Sequence, residues 1–165
     1  MNTGKHGIRL LGAFTLLTLS AGGFAQSAIT YRHSCIAVGN NAIEPLADRA
    51  GQTLAIGDYV CTTEGGPLDG ATVTGRTISH YDGPSGVTLS SNGVTRRPGA
   101  QAFWVNTEGH TDLKMSQGRV TGFDGAGRGH FVLTSGGFSA LSGRTYSYKF
   151  SATGPGRFTI DVSLD

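Results

Sequence analysis

Apolar and polar side chains alternate over long stretches of the second half of this chain. Tyr146, Tyr148 and Phe150 alternate with Thr145, Ser147 and Lys149, and Phe158, Ile160, Val162 and Leu164 with Arg157, Thr159, Asp161 and Ser163. A period of two puts successive side chains on opposite faces of a pleated strand, so each run predicts a strand with one buried face. The same reading predicts a first strand at 29–37 and further strands at about 54–63, 70–81, 86–95, 100–108, 110–123, 128–135, 143–152 and 156–164. Residues 39–52 read as irregular, with Asn40-Asn41 and Pro45 as breakers. The breaks between strands carry turn residues: Glu64-Gly65-Gly66-Pro67, Asp82-Gly83-Pro84, Arg97-Pro98-Gly99, Glu108-Gly109, Asp124-Gly125 and Thr153-Gly154-Pro155-Gly156. No window has a helical period.

Eight or nine short sequential strands with tight turns predict an all-β fold, an antiparallel up-and-down barrel of about eight strands resembling the calycins. A Greek-key β-sandwich is the alternative. Closure removes edge strands, and a barrel of about eight strands is either filled by side chains or wide enough for one small ligand. Glycines within strand runs (Gly75, Gly93, Gly122, Gly127, Gly129) are expected at bulges and at places of strong coiling.

The first 25 residues change the picture of the domain. Lys5 and Arg9 precede an apolar run from Leu10 to Leu19, and Gly23-Phe24-Ala25 places small residues where a signal peptidase cleaves. The run is too short to cross a bilayer. The expectation is a signal peptide at 1–25, a single barrel domain at 26–165, and a periplasmic or extracellular location with no membrane span once the leader is removed. Removing Lys5 and Arg9 from the 13 basic residues leaves 11 against 11 acidic ones, so the formal charge falls from +2 to 0. A neutral chain has no electrostatic footprint for nucleic acid. The two cysteines, Cys35 and Cys61, are expected to form a disulfide in an oxidising compartment.

The stretch Gly127 to Tyr148 contains Leu133-Thr134-Ser135-Gly136-Gly137-Phe138 followed by Leu141-Ser142-Gly143-Arg144, and is preceded by Gly118-Arg119-Val120-Thr121-Gly122. It resembles the glycine-rich passage between consecutive strands in the allene oxide cyclase and dirigent-like β-barrels. Ser135 stands where those barrels usually carry glycine, and no matching catalytic set carries over. The resemblance implies an eight-stranded barrel with a small apolar cavity, and a cofactor-independent cyclase or isomerase as one alternative activity.

Strand parity selects the candidate site. On 70–81, Ala71, Val73, Gly75, Thr77, Ser79 and Tyr81 share one face and Thr72, Thr74, Arg76, Ile78 and His80 the other. On 100–108, Trp104 shares a face with Asn106. Such a pair suits a pocket wall with one hydrogen-bonding group, although a plain core tryptophan has the same signature. Tyr146 and Tyr148, on the strand at 143–152, add aromatic rings to the same interior. Among His33, His80, His110 and His130, the last is singled out because it adjoins Phe131 beside the glycine-rich stretch; the others read as rim or solvent positions. Candidate ligand-binding residues are therefore Trp104, Asn106, His130, Tyr146 and Tyr148. Two cysteines and scattered histidines make no metal-ligand pattern, and Asp124-Gly125-Ala126-Gly127-Arg128-Gly129 precedes no helix that would make it a phosphate loop, so neither metal nor cofactor is expected. Arg96-Arg97 either grips an anion or forms a solvated rim. The functional expectation is an exported barrel that binds a small, largely apolar molecule in its calyx. The alternatives are the cyclase and an envelope-associated interaction protein with a filled barrel.

Overall fold

The computed structural model describes residues 29–165; the expected leader at 1–25 lies outside them. Eight antiparallel strands close into one barrel in sequence order. They are β1 (Ile29–Pro45), β2 (Gln52–Glu64), β3 (Thr72–Asp82), β4 (Ser85–Arg97), β5 (Ala100–Ser116), β6 (Arg119–Gly136), β7 (Thr145–Gly154) and β8 (Arg157–Leu164). Closure runs through β1 and β8, where Tyr31 faces Val162 and Ile36 faces Arg157 across the seam. The up-and-down barrel expected from the alternation is what forms; the sandwich is not.

Two strand assignments need correction. β1 continues to Pro45 rather than stopping at residue 37, because an irregularity between Val38 and Ala42 absorbs Gly39-Asn40-Asn41 and pairing with β2 then resumes. Gly39 adopts φ 69° there, a conformation that favours glycine. The three strands expected over 100–135 are two longer ones, β5 and β6. Their turn is at Gln117 (φ 50°) and Gly118 (φ 74°), the pair of positive φ values that a tight hairpin turn requires. Glu108-Gly109 and Asp124-Gly125 sit inside strands, and Arg119–Gly122 is the start of β6.

One end of the barrel is sealed. Short 3-10 turns at Gly66–Leu68 and Ser139–Leu141 drop Leu68, Phe138 and Leu141 onto the core, and all three are buried. Arg97 lies 4.8 Å from the centre of the Phe138 ring and donates to the Asp69 carbonyl at 3.1 Å, while Arg96 donates to Thr74 Oγ1 at 3.3 Å. Both arginines therefore fasten the closed end. The other end carries the β1–β2, β3–β4, β5–β6 and β7–β8 turns, and Tyr81, Phe123, Phe150 and Phe158 near it are only partly covered. Cys35 and Cys61 face each other across β1 and β2, form the expected disulfide, and are buried on the inner face. Outside, cross-strand ion pairs join Arg32 to Asp161 and Arg76 to Asp58, each with an N–O distance of 2.6 Å. No helix among the described residues is long and apolar enough to cross a membrane.

Candidate functional site

The barrel encloses a cavity of about 290 Å³ that opens toward the unsealed end. Its walls follow from the cross-strand register. Tyr146, Tyr148 and Phe150 on β7 stand directly opposite Gly129, Gly127 and Gly125 on β6. The same pairing recurs for Tyr59 with Gly75, Tyr81 with Gly86 and Trp104 with Gly93. Each ring lies over the glycine across from it. A Cβ added at Gly75 would sit 2.5 Å from Tyr59 Cζ, one at Gly125 2.5 Å from Phe150 Cζ, and one at Gly86 2.6 Å from Tyr81 Cε1. These glycines are seats for aromatic rings, which is why they occur at inward positions where a larger residue would fill the interior. Gly122 is the exception among those singled out from the sequence: its nearest neighbour would be Ala152 Cβ at 3.7 Å, an ordinary contact.

The rings touch in series from the sealed end to the mouth. Phe131 and Tyr146 have centroids 5.3 Å apart, Tyr146 and Tyr148 6.3 Å, Tyr148 and Phe150 6.1 Å, and the series continues through Phe123 and Phe158 to Tyr59. Tyr148 and Phe150 stack and the other pairs are tilted or edge-to-face, the favourable arrangements for aromatic pairs at such separations.

A polar chain crosses the cavity wall between these rings. The Tyr146 hydroxyl donates to Asn106 Oδ1 at 2.9 Å, Asn106 Nδ2 donates to Ser91 Oγ at 2.9 Å, and Ser91 Oγ meets Thr77 Oγ1 at 3.0 Å. Burial pushes Tyr59 up to about 12, against the pull of hydrogen bonds to Ser91 and Thr77. Burial also raises Tyr31, Tyr146 and Tyr148, and Tyr146 is raised further by the neighbouring phenols of Tyr31, Tyr59 and Tyr148. All four stay protonated at neutral pH. His33 also borders the cavity, bonded through Nδ1 to Thr63 Oγ1 at 2.8 Å, and burial lowers it to about 4, so its imidazole is neutral. Asp58, the carboxylate at the edge, is held below the usual range by its bidentate pairing with Arg76. The interior is thus polar in places but uncharged.

Of the residues selected from the sequence, Trp104, Asn106, Tyr146 and Tyr148 come together on the cavity wall. His130 does not. It adjoins the inward Phe131 on β6, so strand alternation turns it to the outer face, where it pairs with Val105 and Thr145. The histidine that faces inward is His33, two residues from the inward Tyr31, with ring centroids 5.2 Å apart. Ser91, Thr77 and Tyr59 were not selected either; their role depends on which residues of β2, β3 and β4 become neighbours. The period-two glycines of Gly125–Gly129 set against the period-two aromatics of Tyr146–Phe150 are a signal that reads directly from the chain.

No family model, no curated protein and no solved structure matches this chain.

Proposed function

We propose that this protein is an exported binding barrel that holds one small, largely apolar, uncharged molecule in its calyx. The observation that carries the reading is the cavity of about 290 Å³, walled by rings and free of any unpaired charge among the described residues. That volume lies near the lower end of the range for small-molecule sites, which are mostly apolar with a few fixed polar groups. Apolar ligand surface buried there gains about 25 cal/mol per Å² before ordering costs, whereas a charged ligand loses its hydration with no counter-ion to replace it. Export is supported by the order of charge, apolar run and small residues in the first 25 positions and by the disulfide between Cys35 and Cys61.

Binding is preferred to cyclisation because the groups facing the cavity are neutral phenols, amides, hydroxyls and a neutral imidazole already engaged with Thr63, and the Asp58 carboxylate at its edge is committed to Arg76. They can hold and orient a molecule, but none is poised as a base near neutral pH. The open volume also favours binding over a filled barrel acting through its surface. Titration with N-phenylnaphthylamine, an uncharged apolar fluorophore, tests the reading. Saturable enhancement of the probe with quenching of Trp104 is the expected result; no change in either signal refutes it.

A further inference from the structure

Not every hydrogen-bonding group that borders the cavity has a partner. Tyr146, Asn106, Ser91 and Thr77 satisfy one another in the chain described above. Among the side-chain donors left over are two aromatic ones nearer the sealed end. Trp104 is 7% exposed and Tyr31 6%, and both line the cavity. Neither the indole Nε1–H nor the Tyr31 hydroxyl has a hydrogen-bond partner among the described residues. Among the described residues no side-chain nitrogen or oxygen sealed from open space lacks a partner, so these two groups face space, and their residues line the cavity. An indole N–H can only donate, and a protonated phenol donates readily. A ligand that enters without an acceptor covers both and leaves them unmade, at a cost comparable to a lost hydrogen bond.

Resting on the calyx reading above, we infer that the inner end of the cavity recognises a carbonyl-type acceptor oxygen on an otherwise apolar ligand, with the Trp104 Nε1–H and the Tyr31 hydroxyl as its donors. The ligand class is an uncharged aromatic or alicyclic ketone, aldehyde or amide small enough for about 290 Å³. A carboxylate also accepts hydrogen bonds, but no cation faces these donors. His33, packed edge-on against Tyr31, is neutral, and Arg76 and Arg32 are committed to Asp58 and Asp161 on the outer face. An anion there keeps its charge buried without a partner.

Calorimetric titration of the disulfide-bonded protein near pH 7 with naphthalene, acetylnaphthalene and naphthoate separates the terms, because the three share one ring system. Two new hydrogen bonds predict that the ketone binds about tenfold more tightly than the hydrocarbon. The anion binds no more tightly than the hydrocarbon. In Tyr31→Phe and in Trp104→Phe the ketone's advantage over naphthalene shrinks several-fold. If Trp104→Phe does not fold, Tyr31→Phe, which removes a single oxygen, carries the test. Equal binding of ketone and hydrocarbon, an advantage that survives in the variants, or tightest binding by naphthoate overturns this inference and leaves the calyx reading intact. Failure of all three to bind overturns the calyx reading and this inference with it.

Discussion

Replacing Gly127 by alanine tests the principle that shapes the cavity. Gly127 lies in the middle of β6 opposite Tyr148, and a Cβ there would fall 2.6 Å from Tyr148 Cζ and also crowd the backbone carbonyl of Glu108. Something must move. The ring can lift into the cavity, giving up its contact with the Glu108 carbonyl at 3.4 Å, or the β5–β6 ladder can open. Overpacking of this kind costs about 1–3 kcal/mol. Alanine recovers roughly 0.5–1 kcal/mol because it loses less conformational freedom than glycine on entering a strand. The net expectation is a destabilisation of about 1–2 kcal/mol, or a fall in melting temperature of roughly 3–8 °C for a domain of this size. Gly122→Ala is the internal control. It lies on the same strand, its new Cβ meets Ala152 Cβ at 3.7 Å, and it should leave stability unchanged or slightly raised. Thermal unfolding followed by circular dichroism reads both variants. If Gly127→Ala melts at or above the wild-type temperature, or if the two variants fall together, the rings are not seated on these glycines as described.

Three further outcomes are expected. Asn106→Leu removes the amide that joins Tyr146 to Ser91, takes one partner from each of these two buried hydroxyls, and should cost about 1–3 kcal/mol in urea unfolding; an unchanged midpoint contradicts the polar chain. His33 has a folded pKa of about 4, below its ordinary 6.5, so the unfolded chain binds the extra proton first and stability is lost as pH falls below that ordinary value; relative to His33→Gln, the wild type should lose about 2 kcal/mol between about pH 7 and 4.5, and parallel pH profiles would show that the imidazole is not buried. Replacing both Cys35 and Cys61 by alanine should lower stability by about 3 kcal/mol through the loop of 26 residues that the bridge closes, and two reactive thiols in freshly isolated protein would contradict the pairing.

Alternation carried most of the fold. On β7 and β8 every inward residue was legible because one face is apolar throughout, and closure followed from the number of strands and their short turns. Glycine was the point of failure. Asp82-Gly83 makes a turn and Asp124-Gly125 does not, yet the two dipeptides are identical; the difference lies in Phe150 on the neighbouring strand, which needs the space at Gly125. The Asn40-Asn41 and Pro45 breakers misled for a related reason: a strand can absorb extra residues as an irregularity and continue. In the site, Trp104 and Asn106 were legible as one face of β5 and Tyr146 and Tyr148 as one face of β7. His130 was misplaced by a single residue of parity, which in a strand exchanges inside for outside. Ser91 and Thr77 are small hydroxyl residues in a chain rich in them, and only the β3–β4–β5 register brings them to Asn106.

The central claim is that the barrel is hollow and that its hollow is the binding site. Nuclear Overhauser contacts between a saturating uncharged probe such as acetylnaphthalene and the isotope-labelled protein test it most directly. The account predicts contacts to the rings of Trp104, Tyr146, Tyr148 and Phe131 in a one-to-one complex. Contacts confined to outward residues such as Leu133 and Val132, or none at all, would contradict it.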